Sequence, residues 1–195
     1  DAAASTPREL VFVLDTSGSM RGLPMRASQR FMDAALVGLR PQDYFRIIPF
    51  SNATRRFASA AVPATAANIR RARGFVQSLQ AGGGTRINHA IETAFATAQP
   101  DQTMRIVVFL SDGYIGGEAE VLRTIRRQIG QARIYAFGIG NAVNRYLLDA
   151  MAEEGRGYAR YVSVDEDALE VAEELATNLK SPLLTDISID WGDLQ

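Results

Sequence analysis

No cysteine occurs in the 195 residues, so disulfide staples, zinc–thiolate centres and thiol nucleophiles are excluded together. Histidine occurs once, as His89. A serine hydrolase needs a base beside its nucleophile, and His89 falls just inside an expected helix, where a solvent-facing or capping role suits it better. Lysine is almost missing too: Lys180 is the single one among 21 basic residues, and against 22 acidic residues the formal net charge is −1. No overall positive field is therefore available to hold a nucleic-acid backbone or an anionic membrane. No apolar run reaches the length of a membrane span, and residues 1–9 lack the basic start and apolar centre of a secretion signal. The glycine-rich stretches also lack what phosphate binding requires. Gly82-Gly83-Gly84 has no Gly-Lys-Ser/Thr continuation and Gly138-Ile139-Gly140 lacks a third glycine; the G-x-S-x-G nucleophile elbow of serine hydrolases does not occur either.

What is present is a globular composition, 47% hydrophobic, in a length that suits one domain with a substantial core. Strand patterns are expected at Glu9–Leu14, Tyr44–Phe50, Ile106–Leu110, Ile134–Ile139 and Tyr158–Val162, with a short edge strand within Arg55–Val62. Helical periodicity marks Pro24–Leu39, Ile69–Leu79, a helix opened by Thr85 and running to Ala98, Glu118–Gly130, Val143–Met151 and Ala168–Leu179. Strands alternating with helices demand an α/β fold: a doubly wound, Rossmann-like, mostly parallel sheet flanked by helices on both faces. Residues 1–8 read as a linker, 9–180 as the domain, and 181–195 as a C-terminal extension. In that extension Leu184–Trp191 alternates like a strand of an adjoining domain. The opening Asp1 suggests a processed chain or a domain cut from a longer one.

The chemistry concentrates where the first strand ends. After Leu10–Leu14 the chain turns abruptly to Asp15-Thr16-Ser17-Gly18-Ser19, placing a carboxylate and two hydroxyls at the mouth of the sheet, the usual ligand site of such folds. Oxygen donors without Cys or His suit a hard cation such as Mg²⁺, Mn²⁺ or Ca²⁺. The same residue types also serve turns and helix N-caps, so from this loop alone both uses stand. A second central strand ends in Ser111-Asp112-Gly113, and Thr85 follows the glycine run. If the strands ending at Asp15 and Asp112 are neighbours, Asp15, Ser17, Ser19, Thr85 and Asp112 converge. An aspartyl-phosphate hydrolase is disfavoured, because Ser17 stands where the second carboxylate is usually found.

Asp15-Thr-Ser-Gly-Ser19, Thr85 after glycines and Asp112-Gly113 after an apolar strand resemble the metal-ion-dependent adhesion site of von Willebrand factor type A domains, a likeness that covers roughly Glu9–Leu179. Leu39-Arg-Pro-Gln-Asp43 with Ile48-Pro-Phe-Ser51, Gly138–Leu148 and Ser181-Pro-Leu-Leu-Thr-Asp186 resemble the A domains that follow a VIT domain in inter-alpha-trypsin inhibitor heavy chains and their bacterial surface relatives. The resemblance implies a non-enzymatic adhesion module. Its metal ligands would be Asp15, Ser17, Ser19, Thr85 and Asp112, its ion Mg²⁺ first with Mn²⁺ or Ca²⁺ as alternatives, and its partner a protein supplying an Asp or Glu carboxylate. It also implies a place in a larger multidomain chain at the cell surface or outside the cytoplasm. The alternative is an intracellular A domain that docks through the same metal site onto an ATPase or chelatase-type assembly.

Overall fold

The computed structural model describes residues 7–112, 116–140 and 143–180. One sheet holds β1 (Arg8–Asp15), β2 (Tyr44–Phe50), β3 (Val62–Pro63), β4 (Met104–Ser111), β5 (Arg133–Ile139) and β6 (Ala159–Val162). Its order is β3-β2-β1-β4-β5-β6, parallel throughout except for β3, which runs antiparallel to β2. The helices are α1 (Leu23–Val37), α2 (Ala66–Gln77), α3 (Ile87–Ala96), α4 (Glu118–Gln128), α5 (Arg145–Glu154) and α6 (Ala168–Lys180). This is the doubly wound α/β fold that the alternation of elements demands.

All residues of β1 are buried, as a central strand covered on both faces requires. Successive side chains point to opposite faces. Leu10, Phe12 and Leu14 thus join the core beneath α1, α2 and α6, and Val11 and Val13 the core beneath α3, α4 and α5. Register puts Leu14 opposite both Pro49 and Leu110, so β1 and β4 end together. The strand order reverses between these two strands, making their carboxyl ends the topological switch point, where open α/β sheets bind ligands.

The opposite end of the sheet buries charge. Glu9 is fully buried and accepts hydrogen bonds from Arg46 Nε at 2.8 Å and Arg105 Nε at 2.6 Å. The remaining guanidinium N–H groups donate to the carbonyls of Thr93, Ala94, Phe95 and Thr97, the orphan acceptors at the C-terminus of α3. Asp43, equally buried, accepts from Arg8 and Arg40, and Arg8 Nη1 reaches the Leu179 carbonyl at 3.3 Å in α6. Both clusters tie helix ends to strand starts on the side away from Asp15.

Two expectations are corrected. The edge strand within Arg55–Val62 shrinks to Val62–Pro63. Arg55 N and Phe57 N do donate to the Pro49 and Ile47 carbonyls of β2, but Pro49 has no N–H to return, so no regular ladder forms there. Thr85 does not open α3, which begins at Ile87 after Arg86. The strand expected at Leu184–Trp191 lies outside the described residues.

Candidate metal centre

At the end of β1 the chain makes a single 3-10 turn, Gly18–Met20, before α1. Ser17 occupies the cap position of that turn without a side-chain capping bond, and the cap of α1 is Gly22, also without one. Ser17 and Ser19 therefore do not spend their hydroxyls on helix ends, the alternative use the sequence left open. Their Oγ atoms lie 3.0 Å apart in a hydrogen bond to each other. Ser17 is buried and Ser19 exposed, so the pair runs from the floor of the turn to its rim.

Asp15 is fully buried. Its Oδ1 accepts from Ser17 N at 2.8 Å and its Oδ2 from Ser111 Oγ at 2.6 Å, which fixes the carboxylate plane. Burial pushes its pKa above 3.8, with the negative charge of Asp112 adding to the rise, while the Ser111 and Ser17 hydrogen bonds pull the other way without overcoming it. Among the described residues Asp15 has no ion-pair partner. A buried carboxylate beside a second one, with no basic group joined to it, is an arrangement that a cation would relieve.

Asp112 directly follows β4 and is nearly buried, 9% exposed. Thr85 comes from the loop between α2 and α3, and that loop is sewn to the Asp15 turn. Gly82 N donates to Thr16 O at 2.8 Å, Gly18 N to Gly83 O at 2.9 Å, and Arg86 N to Ser51 O at 2.9 Å. A Cβ on Gly18 would stand 3.2 Å from Gly83 O, so glycine is what lets the two backbones meet. Thr85 is half-buried, and among the described residues its hydroxyl makes no hydrogen bond. The three separated stretches thus meet at one end of the central strands. His89 stands aside, with a largely exposed side chain 3.8 Å from Glu92.

Three supporting residues escaped the sequence reading. Ser111 orients Asp15. Thr16 anchors the turn by donating from N and Oγ1 to Phe50 O at 2.8 and 2.9 Å. Asn52 accepts from Gly84 N at 2.7 Å through Oδ1. Only Ser111 left a trace, as a hydroxyl one residue before Asp112; the other two bond to backbone distant in sequence. Arg21 is exposed and lies against the glycine loop, with Nε 3.4 Å from Ala81 O.

The model of the von Willebrand factor type A domain family matches residues 8–161. Inter-alpha-trypsin inhibitor heavy chain H4 of Bos taurus is 28% identical over 204 residues, covering 98% of this chain and 22% of the heavy chain. The chain thus spans about a fifth of the length of that relative. Among solved structures, the pilus adhesin SpaC of Lactobacillus rhamnosus GG in its open conformation superposes with a TM-score of 0.70 at 16% identity, over 90% of this chain and 30% of the adhesin. Proximal thread matrix protein 1 of the mussel byssus, with a zinc-occupied MIDAS motif, superposes with a TM-score of 0.67 at 16% identity, over 88% and 45% of the two chains. Identities this low show a shared fold.

Proposed function

Because the chain belongs to the von Willebrand factor type A family, we propose that it is a non-enzymatic module that binds a partner protein through a divalent cation held by Asp15, Ser17, Ser19, Thr85 and Asp112. The observation that carries this reading is the convergence at the switch point. Asp15 and Asp112 end neighbouring strands, and the Thr85 loop is hydrogen-bonded to the Asp15 turn. The donor set fits the ion. Ser17, Ser19 and Thr85 bring neutral oxygens, none is engaged in helix capping, and the negative charge comes from Asp15 and Asp112, of which burial disfavours the charge on Asp15. Oxygen-only donors with few charges suit Mg²⁺ first and Mn²⁺ or Ca²⁺ as alternatives. The zinc-occupied MIDAS motif of the mussel protein supports a divalent cation at this place in the fold.

When bound, the cation supplies Lewis acidity toward an outside carboxylate, more of it when neutral hydroxyls rather than a ring of carboxylates surround it. The protein's part is positioning. Ser111 and Ser17 N hold the Asp15 carboxylate in one orientation, Thr16 fixes the turn to β2, and the Gly18–Gly83 contact holds the loop that carries Thr85 against the turn that carries the two serines. An Asp or Glu of the partner would complete the shell. The names of the pilus adhesin and the byssal thread matrix protein support a place at the cell surface or outside the cytoplasm, within a larger chain of which residues 9–180 are the A domain, residues 1–8 a linker and residues 181–195 an extension.

The test is a pull-down from the native organism with and without EDTA. A partner that is retained in Mg²⁺, released by EDTA and lost with Asp15→Ala or Asp112→Ala, each variant keeping its far-ultraviolet circular dichroism, supports the reading. Retention that ignores both EDTA and the substitutions refutes it, and recovery of an ATPase instead of a surface protein would favour intracellular docking through the same site.

A further inference from the structure

Thr85 lies in a long connection: α2 ends at Gln77 and α3 starts at Ile87, so nothing helical fixes the chain between. The backbone bonds at Gly82, Gly83 and Arg86 hold its two flanks. The residue immediately before Thr85 is held by a side chain instead, since Gly84 N donates to Asn52 Oδ1 at 2.7 Å. The amide lies close along this loop. A Cβ on Gly83 would fall 2.8 Å from Asn52 Nδ2, and one on Gly84 2.8 Å from Oδ1. Gly83 additionally has φ +84°, a conformation that side chains disfavour. The glycines before Thr85 thus admit Asn52 as well as Gly18.

We infer that Asn52 is a positioning residue of the metal site, acting through Gly84 to set the Thr85 hydroxyl in place. This rests on the metal reading above and deepens it. Asn52 is exposed and among the described residues its side-chain hydrogen bond is the one to Gly84, so its replacement should leave the core untouched. Supporting residues of this kind typically cost about tenfold or more in metal affinity when removed.

Mn²⁺ titration by calorimetry, with thermal unfolding of the metal-free proteins, tests this. Asn52→Leu, which keeps bulk and loses the acceptor, and Asn52→Ala should each bind Mn²⁺ about tenfold more weakly than wild type with an unchanged metal-free Tm. Gly84→Ala, whose Cβ displaces the amide, should do the same. Asn52→Asp retains the acceptor and should keep wild-type affinity or exceed it. In a Thr85→Ala background Asn52→Leu should have no further effect, because residues that act through one another are not additive. Wild-type affinity in Asn52→Leu, or an equal loss with and without Thr85, overturns the inference and leaves the metal site standing. A wild-type protein that takes up no Mn²⁺ overturns the metal reading itself.

Discussion

Asp15→Asn is expected to reverse the order of stability of two proteins when metal is added. Burial, with Asp112 nearby, raises the Asp15 pKa above 3.8. A raised carboxyl binds its proton more tightly in the folded chain than in the unfolded one, so its ionisation erodes folded stability as pH rises through the raised value. Above that raised value and without metal, wild type therefore carries a buried negative charge that asparagine removes. The amide keeps the geometry: its oxygen accepts from Ser17 N, and its NH₂ donates to Ser111 Oγ, whose hydroxyl turns to accept. Relieving such a functional-site cost typically gains about 1 kcal/mol, or about 2–4 °C in Tm for a domain of this size. Metal inverts the balance. At an Mg²⁺ concentration of about a hundred Kd, wild type gains about 2.7 kcal/mol, roughly 5–10 °C, and the variant gains little because its charge is gone. Scanning calorimetry in EDTA and in Mg²⁺ reads both arms, and the metal-free gap should close as pH falls toward 4. A variant less stable than wild type in EDTA, or one that gains as much from Mg²⁺, refutes the electrostatic reading of Asp15.

Glu9→Ala leaves Arg46 and Arg105 buried without their carboxylate. Breaking a buried pair costs about 3–5 kcal/mol, so Tm should fall by about 10 °C, whereas Arg73→Ala, in an exposed pair with Asp33, should hardly move it. Urea unfolding across the acid range should register Asp43. Burial alone would push its carboxyl up, but the hydrogen bonds from Arg8 and Arg40 outweigh burial and hold the pKa below 3.8. That stability is therefore present above 3.8 and is lost as pH falls through the depressed value; Asp43→Asn should flatten the loss, and an unchanged profile would count against the Arg8–Asp43–Arg40 cluster.

The sheet and helices were legible because burial writes itself into sequence as periodicity. Leu10–Leu14 and Ile106–Leu110 are unbroken because both faces of β1 and β4 are covered, and Asp15 and Ser111-Asp112 stood out because each cuts such a run short. The charged end of the sheet was illegible for the converse reason. Glu9 and Arg105 are 96 residues apart, and nothing local distinguishes a buried arginine with a distant carboxylate from a solvated one. Asn52 was hidden likewise: its value lies in a bond to backbone 32 residues away, and the glycines that admit it read as a plain loop. The Arg55–Val62 strand misled because its residues suit a sheet edge, while what decides the pairing is the missing N–H of Pro49 on the facing strand.

The central claim, that three separated stretches share one cation with room left for a partner's carboxylate, is tested most directly by a crystal grown in Mn²⁺ and measured at the manganese absorption edge. The account predicts one anomalous peak at the ends of β1 and β4, surrounded by Asp15, Ser17, Ser19, Thr85 and Asp112, with one face open to solvent. A map with no peak there, or a peak sealed on all sides by the protein's own side chains, would contradict it.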